Sequence, residues 1–174
     1  MTESSRAAAA AVLALCGCLV LAGVLLLLQR PPAPEQPATP DFTLRTMQGG
    51  TVQLSSLRGH VVLVDFWATW CGPCREELPT LVHLAQRLEP QGVRFIAISE
   101  DDPPAQEPDV IAFAKQVPGL DRYAVYGNPD VESLFGVDSL PTLFVLDREG
   151  RLVTRLVGGR SEAELSAAVD QALR

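Results

Sequence analysis

Basic side chains and histidines are scarce in this chain. Of 174 residues, 14 are Lys or Arg against 21 Asp or Glu, a formal net charge of -7. Residues 31–174 alone hold 12 basic and 20 acidic side chains, or -8. A domain this acidic excludes nucleic-acid binding through phosphate contacts. Cysteines number only four, Cys16, Cys18, Cys71 and Cys74, too few and too clustered for a disulfide framework. A structural zinc site needs about four ligands. Beyond Cys71 and Cys74 the domain offers only His60 and His83, so neither a metal nor a cofactor is expected. No internal repeat is visible. What the chain has in excess is apolar. Hydrophobic residues make up 47% of it and charged residues 20%, which fits one globular domain with an apolar appendage.

The appendage is at the N-terminus. Residues 7–28 carry no charge and no strongly polar side chain. As a helix they would span about 33 Å, enough to cross a hydrocarbon core. A cleaved signal peptide would have a shorter apolar region and a small-residue cleavage site. Here the run continues past Ala22-Gly23 through Leu28. A lipid-attachment box around Leu15-Cys16-Gly17-Cys18 would leave residues 19–28 as an oddly apolar start to a mature domain. The length favours an uncleaved single-span anchor over residues 1–30, with Cys16 and Cys18 as small apolar residues of a membrane helix. Arg6 and Arg30 flank the run, so the positive-inside rule does not set its orientation. Residues 31–40 contain five prolines and read as a semi-rigid tether.

From Asp41 onward the patterns alternate. Residues 42–44 and 51–54 flank Gln48-Gly49-Gly50 and predict a small hairpin. Val61–Trp67 is an apolar run broken only by Asp65, as in a central strand covered on both faces. Helical spacing of Leu78, Leu81, Val82, Ala85 and Leu88 predicts a helix over residues 74–88, interrupted and kinked at Pro79. Val93–Ser99 predicts a second buried strand. Residues 100–109, with five acids and three prolines, read as a solvated loop. A helix over 110–117, a strand at Ala124–Tyr126, a short helix over 130–135, strands at 142–147 and 152–157, and a last helix follow. Ser161 and Glu164 form a capping box for that helix. The order means an α/β domain with a mixed central sheet flanked by helices.

The chemistry lies in Trp70-Cys71-Gly72-Pro73-Cys74. Cys71 sits between a strand and a helix, where unpaired N–H groups and the helix dipole favour a thiolate. Cys74 lies on the same helical face, within disulfide reach. Pro73 supplies no N–H in the first turn, where none is needed. Gly72 keeps the approach to Cys71 open. A structural disulfide closing so small a loop would constrain the unfolded chain little. A copper site would want a soft third ligand, and His83 is nine residues down the helix. The reading is a redox dithiol.

Residues 64–74, Val-Asp-Phe-Trp-Ala-Thr-Trp-Cys-Gly-Pro-Cys, resemble the active-site stretch of thioredoxin. The wider pattern resembles the membrane-anchored TlpA/ResA/DsbE group: a preceding hairpin, the Leu57-Arg58-Gly59-His60 lead-in, and an insertion over residues 100–130. The resemblance covers residues 41–174. It implies a thioredoxin fold and dithiol–disulfide exchange outside the cytoplasm, acting on exported protein cysteines such as those of apocytochrome c. A membrane electron donor would re-reduce the pair. Asp65 matches the buried carboxylate that takes a proton from the second cysteine in thioredoxin. Many of the ResA-like group lack an acid there. Glu77 matches an acid that tunes the thiols, although by position alone it is as well read as an exposed helix glutamate screened by water. Pro141 matches the cis-proline facing the active site, and Leu140 before it would pair with an extended substrate segment. Trp70 would shape the substrate surface. A metal chaperone and a thiol peroxidase of the same superfamily are the alternatives. A peroxidase, however, usually carries its cysteine in a Pro- and Thr-rich loop.

Overall fold

A strand that is apolar at all positions but one is stable only if both its faces are covered. In the computed structural model, which describes residues 38–174, Val61–Trp67 is buried along its whole length. The expected anchor, Cys16, Cys18 and most of the tether lie outside the described residues. Among the described residues no helix is long and apolar enough to cross a membrane. The elements run β1 (Thr43–Arg45), β2 (Thr51–Gln53), β3 (Val61–Trp67), α1 (Gly72–Leu88), β4 (Val93–Ser99), α2 (Glu107–Ala114), β5 (Ala124–Tyr126), α3 (Pro129–Phe135), β6 (Thr142–Leu146), β7 (Leu152–Val157) and α4 (Glu162–Leu173).

The main sheet has the order β5-β4-β3-β6-β7. β3, β4 and β5 are parallel, while β6 pairs antiparallel with both β3 and β7. β1 and β2 pair separately, and an isolated bridge between Thr46 and Val125 ties this hairpin to the β5 edge. Side chains alternate across a strand. Val61, Leu63 and Trp67 therefore enter one core, with residues of α1, α2 and α4. Val62, Val64 and Phe66 enter the other, with Phe42, Leu44 and Leu54 of the hairpin region and Val131 and Phe135 of α3.

Several expectations shift by a residue or two, as element ends usually do. Others shift for physical reasons. α1 begins two residues before its predicted start, because Cys71 caps it and Pro73 fits its first turn. Pro79 does not interrupt α1. The ring removes one N–H from the ladder, but the residue is solvent-exposed, and the buried face on either side holds the helix together. Residues 100–109 are not simply a solvated loop. Asp101 is buried, and α2 already begins at Glu107. Both signals were masked by the acids and prolines around them. Thr39, within the expected tether, donates its backbone N–H to the Gly150 carbonyl at 2.9 Å, so chain attachment begins before Asp41. The capping box at Ser161 is present in both directions.

Phe135 centres the second core, with ring centroids 5.7 Å from Phe42, 5.5 Å from Phe66 and 5.2 Å from Phe144. Truncating a buried aromatic removes its transfer energy and leaves a cavity. Phe135→Ala is expected to lower the free energy of unfolding by about 3 kcal/mol. Urea denaturation would measure it, and a loss of under about 1 kcal/mol would mean that the ring cluster collapses around the gap.

Candidate active site

Four residues, Ala68 to Cys71, carry the chain from the end of β3 to the start of α1. The Cys71 N–H donates to the Ala68 carbonyl at 3.1 Å, closing a tight turn. Cys71 is the N-cap of α1, and its Sγ accepts from the Cys74 N–H at 3.3 Å. The sulfur thus occupies the place where a helix offers free donors and the positive end of its dipole. The two cysteines form a disulfide with their Cα atoms 5.3 Å apart, so this is the oxidised form. Cys74 is fully buried, while Cys71 reaches the surface edge at 6% exposure. That difference fits Cys71 as the attacking sulfur and Cys74 as the resolving one.

Behind the disulfide stand two acids. Asp65 shares its strand face with Leu63 and Trp67 and so faces the core that contains Cys74 and Leu78 of α1. Its strand neighbours are Ala97 and Leu143, and one of its carboxyl oxygens has no partner. Burial, and then the charge of Glu77, raise its pKa well above the ordinary aspartate value. Of the two readings of Glu77 that the sequence left open, the exposed one falls. The residue is not an exposed helix glutamate but is buried at 6% exposure, with one oxygen unpartnered. Burial is the largest influence and pushes its pKa up to about 7. The backbone N–H and the charge of Arg160 oppose that rise, and Glu164 adds to it. The cover comes from the Gly158–Arg160 segment after β7. A Cβ on Gly159 would lie only 3.7 Å from Pro73 Cβ.

In front lies a cleft of about 500 Å³, lined by Trp70, Cys71, Pro73, Leu140, Glu100 and Glu132 among others. Trp70 is 65% exposed beside the sulfur. A side chain at Gly72 would meet nothing within 4 Å, so the approach there is open. The Leu140–Pro141 bond is cis, and the Pro141 carbonyl accepts from the Gly158 N–H at 2.8 Å. The fold therefore gathers Trp70, Cys71, Pro73 and Leu140 around one opening, with Cys74, Asp65 and Glu77 in the core behind it.

The redoxin family model matches residues 33–172. The chain belongs to the redoxin family. This redoxin is 30% identical over 126 residues to the thiol-disulfide oxidoreductase ResA of Bacillus cereus, an alignment covering 72% of this chain and 71% of that one. It is 31% identical to the thioredoxin-like protein YneN of Bacillus subtilis, over 78% and 79% of the two chains. Its fold matches a protein assigned as the thiol:disulfide interchange protein DsbE of Chlorobium tepidum. The TM-score there is 0.72 and the identity 32%, over 81% of this chain and 99% of that one. Its activity is accordingly thiol–disulfide exchange of the ResA/DsbE type, with the Cys71–Cys74 pair as the redox disulfide.

Other residues of the redoxin's site were not picked out from sequence. Glu100 follows β4 directly, at the carboxyl end of a parallel strand, where α/β sheets place their clefts. That position was the available signal. Burial, and then Glu132, push the Glu100 carboxyl up to about 8. Glu132 and Arg160 carry no comparable signal, since each reaches the site by folding of a distant element. Among the described residues no group of three or more His, Cys, Asp or Glu side chains could hold a metal ion.

Raised acid pKa values have a definite consequence for stability. A carboxyl whose folded pKa exceeds its unfolded one contributes stability that is full below the unfolded value and is lost as pH rises through the folded one. For Glu77 that window runs from about 4.5 to about 7. Asp65 and Glu100 act in the same direction. The oxidised domain is expected to be more stable near the lower end of this window than above it, and Glu77→Gln should flatten the decline. Urea midpoints measured across the window for both proteins check this. An unchanged slope in the variant would contradict the burial of Glu77 as an acid.

Proposed function

We propose that the chain is an extracytoplasmic disulfide reductase, anchored to the membrane by residues 1–30 and held off it by residues 31–40. Its substrates are disulfides of exported proteins, with the disulfide of apocytochrome c as the leading class. One observation carries the reading: a helix-terminal cysteine opens into a cleft while its partner is sealed in the core, which also holds two carboxyls whose proton affinity is raised by burial. A dithiol built this way releases its second proton only after the first sulfur has reacted.

The Cys71 thiolate attacks one sulfur of a substrate disulfide. The other substrate sulfur leaves as a thiolate and takes a proton from water. Cys74 then gives its S–H proton to Asp65, with Glu77 next to it, and attacks Cys71 Sγ. The Cys71–substrate bond breaks, the second substrate sulfur leaves with the electron pair and is protonated, and Cys71–Cys74 is oxidised. The substrate has gained two electrons and two protons. A membrane electron donor returns the pair to the dithiol. Trp70, Gly72, Pro73, Leu140 and Pro141 form the face on which the substrate segment lies, with the Leu140 backbone pairing as a strand edge does.

Two measurements test this reading. A Cys74→Ser variant expressed in the native host should retain exported proteins as mixed disulfides on Cys71, and the domain should be open to protease in intact spheroplasts. Trapping of cytoplasmic proteins only, or a protected domain, would overturn the proposal.

The acids are tested separately. In a purified system, Asp65→Asn and Glu77→Gln should both lengthen the life of the mixed disulfide near neutral pH, Asp65→Asn more, and leave its formation close to wild type. Because Glu77 is buried, its change is expected to approach that of Asp65 rather than vanish through solvent screening. Rapid-quench trapping reads the lifetimes, and unaltered values in Asp65→Asn would remove Asp65 as the base.

A further inference from the structure

Asp101 belongs to none of the motifs that mark the site, yet it is the most buried acid of the region beyond β4, at 2% exposure. Both of its carboxyl oxygens are hydrogen-bonded within the fold. One oxygen accepts from the Thr69 N–H at 2.9 Å and from the Ser99 hydroxyl at 2.7 Å. The other accepts from the Thr69 hydroxyl at 2.5 Å. The Asp101 N–H in turn donates to the Ser99 oxygen at 3.3 Å.

The placement of these bonds is informative. β3 and β4 pair up to Trp67 and Ser99, and the Glu100 N–H extends the pairing to the Trp67 carbonyl at 2.8 Å. Beyond that point the two chains diverge, β3 toward Cys71 and β4 toward α2. Thr69 lies two residues before Cys71, past the last ladder bond. Its backbone N–H and its side chain are both taken by one carboxylate from the segment that follows β4. The segment bearing the exposed Trp70 and the attacking sulfur is thus held by Asp101 on its upstream side and by the α1 cap on its downstream side.

We propose that Asp101 is a positioning residue for thiol–disulfide exchange: by clamping Thr69 it fixes the direction in which Cys71 meets a substrate disulfide. The inference rests on exchange at Cys71 alone and is independent of which protein supplies the disulfide. In-line attack on a disulfide demands aligned sulfurs, and a displacement of about 1 Å in a reacting group can cost about a hundredfold in rate. Asp101 touches neither sulfur; it acts through the backbone at Thr69.

The test uses the reduced full-length protein and a synthetic peptide disulfide. The rate constant for mixed-disulfide formation is measured against pH and divided by the Cys71 thiolate fraction, which alkylation by iodoacetamide supplies. Asp101→Asn removes one acceptor oxygen and a charge. Thr69→Val removes the hydroxyl donor and changes no charge. Both are expected to lower the corrected rate constant by about tenfold or more, with the double variant no slower than Asp101→Asn alone. Val169→Ala, a cavity in the same core on α4, supplies a destabilised control expected to keep the wild-type constant. The proposal fails if Thr69→Val exchanges at the wild-type rate, or if the two changes multiply. It fails also if Asp101→Asn alters only the thiolate midpoint, for then Asp101 acts merely as a charge. A matching loss in Val169→Ala would reduce the effect to general loosening and overturn it as well.

Discussion

The burial of β3 on both faces is the constraint from which the rest of the molecule follows. Its seven residues are all buried, so it must sit in the middle of the sheet with helices on one side and the hairpin region and α3 on the other. A central strand cannot carry a charge cheaply. Asp65 therefore stands as a protonatable group in a place where only an acid with a task is tolerated. The same strand delivers Cys71 to the point where the sheet ends and α1 begins. One element sets the positions of Cys71 and of the buried Asp65 carboxyl.

Two opposing electrostatic environments meet within this small volume. The helix terminus at Cys71 lowers the cost of negative charge on sulfur. Burial raises that cost for Asp65 and Glu77, and burial with a neighbouring carboxyl raises it for Glu100. A stabilised thiolate in front and carboxyls of raised proton affinity behind it suit two-step exchange. The first sulfur must be ionised before substrate arrives, and the second must lose its proton only afterwards. At Glu77 the backbone N–H and charge of Arg160 oppose the rise that burial causes.

The start of α1 is held by the Cys71 cap and lies against the Gly158–Arg160 segment at Pro73, and the Pro141 carbonyl in turn binds Gly158. Gly127 shows how closely the next layer fits. A Cβ there would lie 2.6 Å from the Ser99 carbonyl oxygen and 3.1 Å from Glu100. Glu100 and Glu132 line the cleft together, and Glu132 adds to the rise in the Glu100 pKa.

Much of this was legible in the chain before any fold was known. The unbroken apolar run of Val61–Trp67, the helical spacing after Cys74, the Ser161 capping box and the WCGPC motif are local properties. Local sterics, hydrogen bonding and periodicity are enough to place them. They determined the α/β class, the central strand and the two sulfurs. Tertiary structure alone decided that Glu77 is buried, that Asp101 is a paired core acid in a stretch composed like a solvated loop, and that Glu100, Glu132 and Arg160 come to the site. The periodicity of a helix records which of its own faces is apolar, but it carries no record of which distant segment folds over the remaining one. Glu77 lies 83 residues from Arg160, and Thr69 lies 32 from Asp101. Those contacts exist only once the sheet order has brought their strands together.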